Sequence, residues 1–67
     1  MTNRLKEIRE SKGLTLEDVG KGVGLATNTI SRYETGKREL PARFLIVLAD
    51  FYRTSADYIL GRTNDRF

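Results

Sequence analysis

The chain has 67 residues, a net charge of +3 and neither cysteine nor histidine. This composition leaves room for one small domain and excludes disulfide bonds and the common zinc-ligand sets. Because a long apolar run and a signal-peptide pattern are both missing, we expect a soluble cytoplasmic protein with no membrane partner, metal or cofactor.

Helix-start and helix-stop signals divide the chain into five short helices, and strand alternation is missing throughout. The first helix is predicted from about Asn3 to Lys12, before a glycine stop. The second is predicted from about Leu16 to Val23. Thr15 is its expected N-cap, and Asp18 is the capping-box partner.

The remaining helices follow from glycine, proline and serine positions. The third is predicted from about Thr27 to Thr35, between breaks at Gly24 and Gly36. Pro41 fits the first turn of a fourth helix that runs to about Arg53. Ser55 caps a fifth helix that ends at Gly61.

The second and third helices meet the requirements of a helix-turn-helix. Two helices that cross closely need a small residue at the crossing, which Gly20 supplies. The turn needs a residue that tolerates positive φ, which Gly24 supplies. The facing sides must be apolar, as they are at Val19, Val23, Leu25, Ile30 and Tyr33.

The stretches TISRYETGKR and DYILG make the chain resemble the lambdoid-phage repressor and Cro family of XRE-like helix-turn-helix proteins. The resemblance covers roughly Asn3 to Gly61. It implies an all-α, compact five-helix domain of the lambda-repressor type that binds operator DNA, usually as a dimer. We expect this domain to span residues 1–61 and a fraying tail to span residues 62–67.

The third helix has two different sides. Periodicity places Ile30 and Tyr33 toward the core and a set of polar residues outward. In the family that this chain resembles, the outward positions contact base edges in the major groove; here they are Thr27, Asn28, Ser31 and Arg32. Their chemistry suits base edges, although a solubilising face remains the alternative for each residue alone.

Two positions depart from the family pattern. Ala26 stands where the family often has Ser or Thr to cap helix 3, which leaves Thr27 as an alternative cap. Leu16 stands where the family often has a Gln that contacts a phosphate, so that contact is lost.

Positive charge is densest around the third helix, over residues 26–43. This excess favours a polyanionic partner. The expected phosphate contacts are Thr15, Thr35, Lys37, Arg38 and Arg43. The alternative for the basic turn is a solubilising loop.

Two further sets rest on weaker signals. The resemblance implies an ion pair between Arg9 and Glu34 that links helix 1 to helix 3; two solvated charges are the alternative. An apolar flank of helix 4, joined by helix 5, predicts a homodimer interface at Val47, Phe51, Tyr58 and Ile59. The alternative is a broad core face in a small protein.

Catalysis is not expected, because the chain lacks His, Cys, a nucleophile elbow and a phosphate-binding glycine loop. We expect a sequence-specific regulator of transcription, a repressor, whose partners are double-stranded DNA and a second copy of the chain. An antitoxin-like protein-interaction module and an RNA-associated adaptor remain alternatives, because the fold alone does not decide function.

Overall fold

The computed structural model describes residues 3–65. Over this range the chain forms five helices and no strand, which confirms the predicted all-α fold. The helices are α1 (Leu5–Ser11), α2 (Leu16–Val23), α3 (Thr27–Thr35), α4 (Ala42–Tyr52) and α5 (Ala56–Ile59).

Helices α2 and α3 begin and end at the predicted residues, because local signals set their limits. The Thr15 hydroxyl accepts a hydrogen bond from the Asp18 amide at 3.1 Å, and the Asp18 carboxylate accepts one from the Thr15 amide at 2.9 Å. This is the predicted capping box. At the other ends, Gly24 and Gly36 adopt left-handed conformations with φ of 74° and 77°.

The other helices are shorter than predicted. Helix α1 starts at Leu5 rather than Asn3, because the Asn3 side chain accepts a hydrogen bond from the Leu5 amide at 3.0 Å. Pro41 is the N-cap of α4 and not part of its first turn. Helix α5 has only four residues, although Ser55 caps it as predicted by accepting a hydrogen bond from the Tyr58 amide.

All five helices contribute to one core. Its buried residues are Leu5, Ile8, Val19, Ile30, Tyr33, Leu48, Ala49, Tyr52 and Ile59. Side chains of this kind stabilise a small domain by roughly 1.5–3 kcal/mol each when they are fully buried. The core therefore fixes how α3 lies against the rest of the chain.

Close approach at Gly20 sets the packing of α2 against the start of α3. A Cβ atom on Gly20 would lie 2.6 Å from the Leu25 carbonyl oxygen, which is backbone and cannot turn away. Helix α2 approaches α4 closely as well, because a Cβ on Gly22 would collide with the Phe51 ring. The two glycines weaken the isolated helix but permit both contacts.

The described part of the predicted tail contacts the rest of the chain. The Arg4 guanidinium donates hydrogen bonds to the Thr63 carbonyl at 2.7 Å and the Asn64 side chain at 3.0 Å. It also lies 4.3 Å from the centre of the Tyr58 ring. These contacts join the tail to the start of α1 and to α5. Residues 66–67 of the predicted tail lie outside the described residues, as do residues 1–2 of the predicted domain.

Candidate nucleic-acid interface

Helix α3 is anchored by its apolar side. Ile30 and Tyr33 are each 1% exposed. On the opposite side Asn28 and Arg32 are exposed, while Thr27 and Ser31 are half-buried. The four predicted base-reading residues therefore share the outer surface of α3, although two of them are less accessible than the sequence pattern indicates.

The start of α3 has no side-chain cap. Ala26 occupies the N-cap position with extended backbone, and Thr27 is the first helical residue. The alternative that Thr27 caps the helix is therefore wrong. The first amides of α3 are left without intrahelical acceptors, so this end carries the positive pole of the helix dipole. The Thr27 side chain stays available for contacts outside the helix.

The starts of α2 and α3 lie side by side. The N-cap Thr15, Leu16 from α2 and Thr27 from α3 line one open groove, together with Arg9 and Glu17. The Thr15 oxygen accepts the capping hydrogen bond, so the hydroxyl hydrogen remains available to a phosphate. The structure thus brings a predicted phosphate contact next to a predicted base contact.

The capping box also changes the acidity of Asp18. The hydrogen bond from the Thr15 backbone amide holds the pKa of the Asp18 carboxyl below its ordinary value. The Asp18 carboxylate is therefore ionised at neutral pH and keeps the start of α2 fixed.

Four predicted phosphate contacts lie at or after the end of α3 along the chain. Lys37, Arg38 and Arg43 are exposed, and the Arg43 guanidinium lies 4.8 Å from the centre of the Phe44 ring. The backbone at Arg38 is fixed, because its amide donates to the Arg32 carbonyl at 3.2 Å. These three side chains keep their positive charges at the surface.

Thr35 differs from the other three. Its hydroxyl donates to the Ser31 carbonyl at 3.0 Å and approaches the Arg32 carbonyl at 3.4 Å. A hydroxyl has a single hydrogen, so the donor that a phosphate needs is already engaged. The sequence could not reveal this, because the choice depends on the side-chain rotamer.

Behind α3, Arg9 and Glu34 form a two-point ion pair. Arg9 Nε lies 2.8 Å from Glu34 Oε2, and Arg9 Nη2 lies 3.2 Å from Oε1. Their side chains are 12% and 4% exposed, so the pair is almost removed from water. The hydrogen bond to Glu34 raises the pKa of the Arg9 guanidinium above its ordinary value. This contact fixes α1 against the end of α3.

Sequence reasoning missed two further polar side chains. The Asn3 side chain donates to the Tyr33 carbonyl at 2.9 Å, so it holds the end of α3 from the start of α1. The Tyr52 hydroxyl is buried with no hydrogen-bond partner among the described residues. Burial, with a further contribution from Glu34, raises the pKa of Tyr52 to about 12.

Comparison with known proteins agrees with this geometry. A family model described as helix-turn-helix matches residues 5–59. The chain belongs to this XRE-type helix-turn-helix family. The family expected from the resemblance is therefore confirmed.

Curated relatives come from Bacillus subtilis (strain 168). The uncharacterized HTH-type transcriptional regulator YobD is 37% identical over 62 residues, which cover 92% of this chain and 55% of that protein. The HTH-type transcriptional regulator ImmR is 34% identical over 59 residues, covering 88% of this chain and 46% of ImmR. The HTH-type transcriptional regulator AnsR is 34% identical over 64 residues, covering 96% and 55%.

This helix-turn-helix chain spans about half the length of these relatives. No solved structure gives a significant match. Over residues 3–65, no helix of the domain has the length and apolar character needed to cross a membrane. Within the same range no cluster of acidic side chains suits a metal ion.

Most of the predicted dimer surface of this helix-turn-helix domain is covered within the single chain. Ile59 is fully buried in the core. Phe51 is half-buried and packs over Gly22, while Tyr58 is half-buried beneath Arg4. Of the four predicted residues only Val47 is exposed, at 41%. The periodicity of α4 could not show this, because α2 and α5 decide which flank is covered.

Proposed function

We propose that this helix-turn-helix domain is a sequence-specific double-stranded DNA-binding repressor of transcription. In this proposal two copies bind a palindromic operator, each with α3 in the major groove. The observation that carries it is the outer side of α3, where Asn28 and Arg32 are exposed directly opposite the buried Ile30 and Tyr33. A cytoplasmic location and the lack of a catalytic step are part of the same proposal.

The exposed polar side chains of α3 suit base edges. The Asn28 amide pairs with the N6 and N7 positions of adenine, and the Arg32 guanidinium pairs with guanine or a phosphate. Thr27 presents a methyl group to thymine, and Ser31 offers a shorter hydrogen-bonding group. Since Thr27 and Ser31 are half-buried, we assign most of the discrimination to Asn28 and Arg32.

Groups that can bind phosphate lie on both sides of α3 and support the same orientation. On one side Thr15 offers its hydroxyl hydrogen at the start of α2. On the other side Lys37, Arg38 and Arg43 keep exposed positive charges. Thr35 contributes only if its hydroxyl leaves the Ser31 carbonyl, so we rank it last.

The size of one domain is compatible with two copies side by side on DNA. The described chain measures 27 × 23 × 19 Å. Two such domains side by side can place their α3 helices in successive major grooves, which lie about 34 Å apart. A single α3 contacts few base pairs, and pairing two copies on a palindrome multiplies the discrimination.

The decisive test is selection of bound duplexes from a random DNA pool, repeated with Asn28→Ala. We expect a palindromic consensus, and the variant should lose preference at one symmetric base pair, with about 1–3 kcal/mol of discrimination lost per half-site. Failure to enrich any sequence would refute the proposal and favour a protein-interaction module. If the variant binds all sequences more weakly by the same factor, Asn28 contacts the DNA backbone and not a base edge.

A matched pair of lysine variants tests the phosphate contacts. Lys37→Ala should lower the slope of log affinity against log salt by about one unit, because one fewer counterion is released. Lys6→Ala removes the same charge from the exposed side of α1, outside the proposed interface, and should leave the slope unchanged. Equal slopes for Lys37→Ala and the unsubstituted chain would remove Lys37 from the interface.

A further inference from the structure

The side of α4 that points away from the core carries an apolar pair. Ile46 is 65% exposed and Val47 is 41% exposed, and they are the large hydrophobic side chains left open among the described residues. Opposite them, Leu48, Ala49 and Tyr52 are buried. Helix α4 therefore has two apolar sides, and only one is covered within the chain.

Two opposite charges flank this pair on the same side of the helix. Arg43 lies three positions before Ile46, and Asp50 lies three positions after Val47. Helical periodicity places these four residues in one stripe along α4. Both charged residues are exposed, and Asp50 forms no ion pair in the described structure. We call these residues, Arg43, Ile46, Val47 and Asp50, the α4 stripe.

The α4 stripe is complementary to itself. If two copies of α4 lie antiparallel about a twofold axis between Ile46 and Val47, Arg43 of each copy faces Asp50 of the other. Ile46 of each copy then contacts Val47 of the other. Such an isologous interface uses the same patch twice, so every favourable contact occurs in duplicate.

We propose that the α4 stripe is the docking surface for a second copy of this chain, in that antiparallel arrangement. The stripe is short, so it buries less surface than the roughly 1,200–2,000 Å² typical of stable complexes. The dimer is therefore weak in solution and forms fully only when DNA holds both copies. Charge pairing sets the register of the two helices, while the apolar pair supplies the contact area.

This inference rests on the proposed function for the purpose of the dimer, but the association is measurable without DNA. It also changes the assignment of Arg43, which here contacts a partner carboxylate instead of a phosphate. Its guanidinium is exposed over the Phe44 ring in the single chain, so it is accessible to either partner.

Charge-swap variants give the sharpest test, with dissociation constants from sedimentation equilibrium at millimolar protein without DNA. Arg43→Asp and Asp50→Arg alone should each weaken association at least about tenfold, because like charges then face each other twice. The double variant should restore it. Glu10→Arg on α1 makes the same kind of charge change outside the stripe and should leave association unchanged.

A second readout locates the interface without relying on the charged variants. Amide NMR shifts of the unsubstituted chain should move with concentration along α4 and remain fixed in α3. Ile46→Glu should abolish both the shifts and the association, while the exposed position of Ile46 leaves the fold intact. Circular dichroism checks that fold.

The outcomes separate the two proposals. A chain that stays monomeric, or one whose double charge swap fails to restore association, overturns the α4 stripe as a self-docking surface and leaves it to a partner of another kind. DNA selection that still succeeds would then leave the proposed function standing. Association that follows the charge swaps while DNA selection fails would refute the function alone.

Discussion

The Arg9–Glu34 pair offers the strongest test of how α3 is held. Removing one member leaves the other charged group in a site that is 12% exposed for Arg9 and 4% exposed for Glu34. Breaking a buried pair in this way costs about 3–5 kcal/mol. A domain of 67 residues has about 3–10 kcal/mol of total stability, so either substitution removes much of it.

The two single substitutions should differ. Arg9→Met leaves the more buried Glu34 carboxylate without its ion-pair partner. It also removes the hydrogen bond that Arg9 donates to the Leu14 carbonyl at 2.9 Å. Glu34→Met leaves a guanidinium that keeps the Leu14 contact and has more access to water. We therefore expect Arg9→Met near the upper end of the range and Glu34→Met near the lower end.

Urea denaturation of both singles and the double variant provides the measurement. Replacing both charges with apolar groups of similar length removes the stranded charge, so the double variant should be more stable than either single. Glu10→Met, at an exposed site on the same helix as Arg9, should change stability by no more than about 0.5 kcal/mol. Single effects below about 1 kcal/mol, or effects that simply add in the double variant, would refute this account of the buried pair.

Other substitutions test the remaining contacts. Tyr52→Phe should stabilise the fold by about 1 kcal/mol, because it removes a buried hydroxyl that lacks a partner. The folded pKa of Tyr52 is about 12, above the ordinary value of 10.0, so unfolding releases its proton between pH 10 and about 12. The free energy of unfolding therefore falls across that pH range. Tyr52→Phe should lack this loss in urea titrations at alkaline pH. Gly20→Ala should lower the melting temperature, since overpacking against the Leu25 carbonyl costs about 1–3 kcal/mol, whereas Gly22→Ala meets a ring that can rotate and should lower it less. Asp18→Ala should lower the melting temperature at neutral pH. Because the folded pKa of Asp18 is depressed below the ordinary value of 3.8, the difference from the unsubstituted chain should shrink as pH falls from 3.8 through that folded pKa.

The predictable parts of the fold are those set by neighbours in the sequence. Thr15, Gly24 and Gly36 act within one or two turns of chain, and the limits of α2 and α3 follow from them. The start of α1 instead depends on Asn3, whose amide bonds both to Leu5 and to Tyr33. Periodicity contains no information about such a distant partner.

The same distinction explains the candidate site. The outward side of α3 is predictable because burial of Ile30 and Tyr33 fixes the rotation of the helix. The hydrogen bond that the Thr35 hydroxyl donates was not predictable, because it depends on the side-chain rotamer. The packing of Phe51 against α2 was not predictable either, because it depends on the absence of a side chain at Gly22. The exposure of Ile46 was not predictable, because only the packed structure shows which side of α4 remains uncovered.

The start of α3 shows how stability and binding are distributed in this domain. A Ser or Thr at the N-cap is typically worth about 1 kcal/mol over alanine, and Ala26 forgoes it. Helix α3 is held instead from its buried side, by Ile30 within the core and by the Arg9–Glu34 contact near its far end. No side chain caps the first amides of α3, and Thr27 lines the groove shared with Thr15. The preference for a capping side chain is thus not met at the start of α3, where the proposed interface needs unpaired N–H donors. Such a departure is expected where a helix start is also a contact surface.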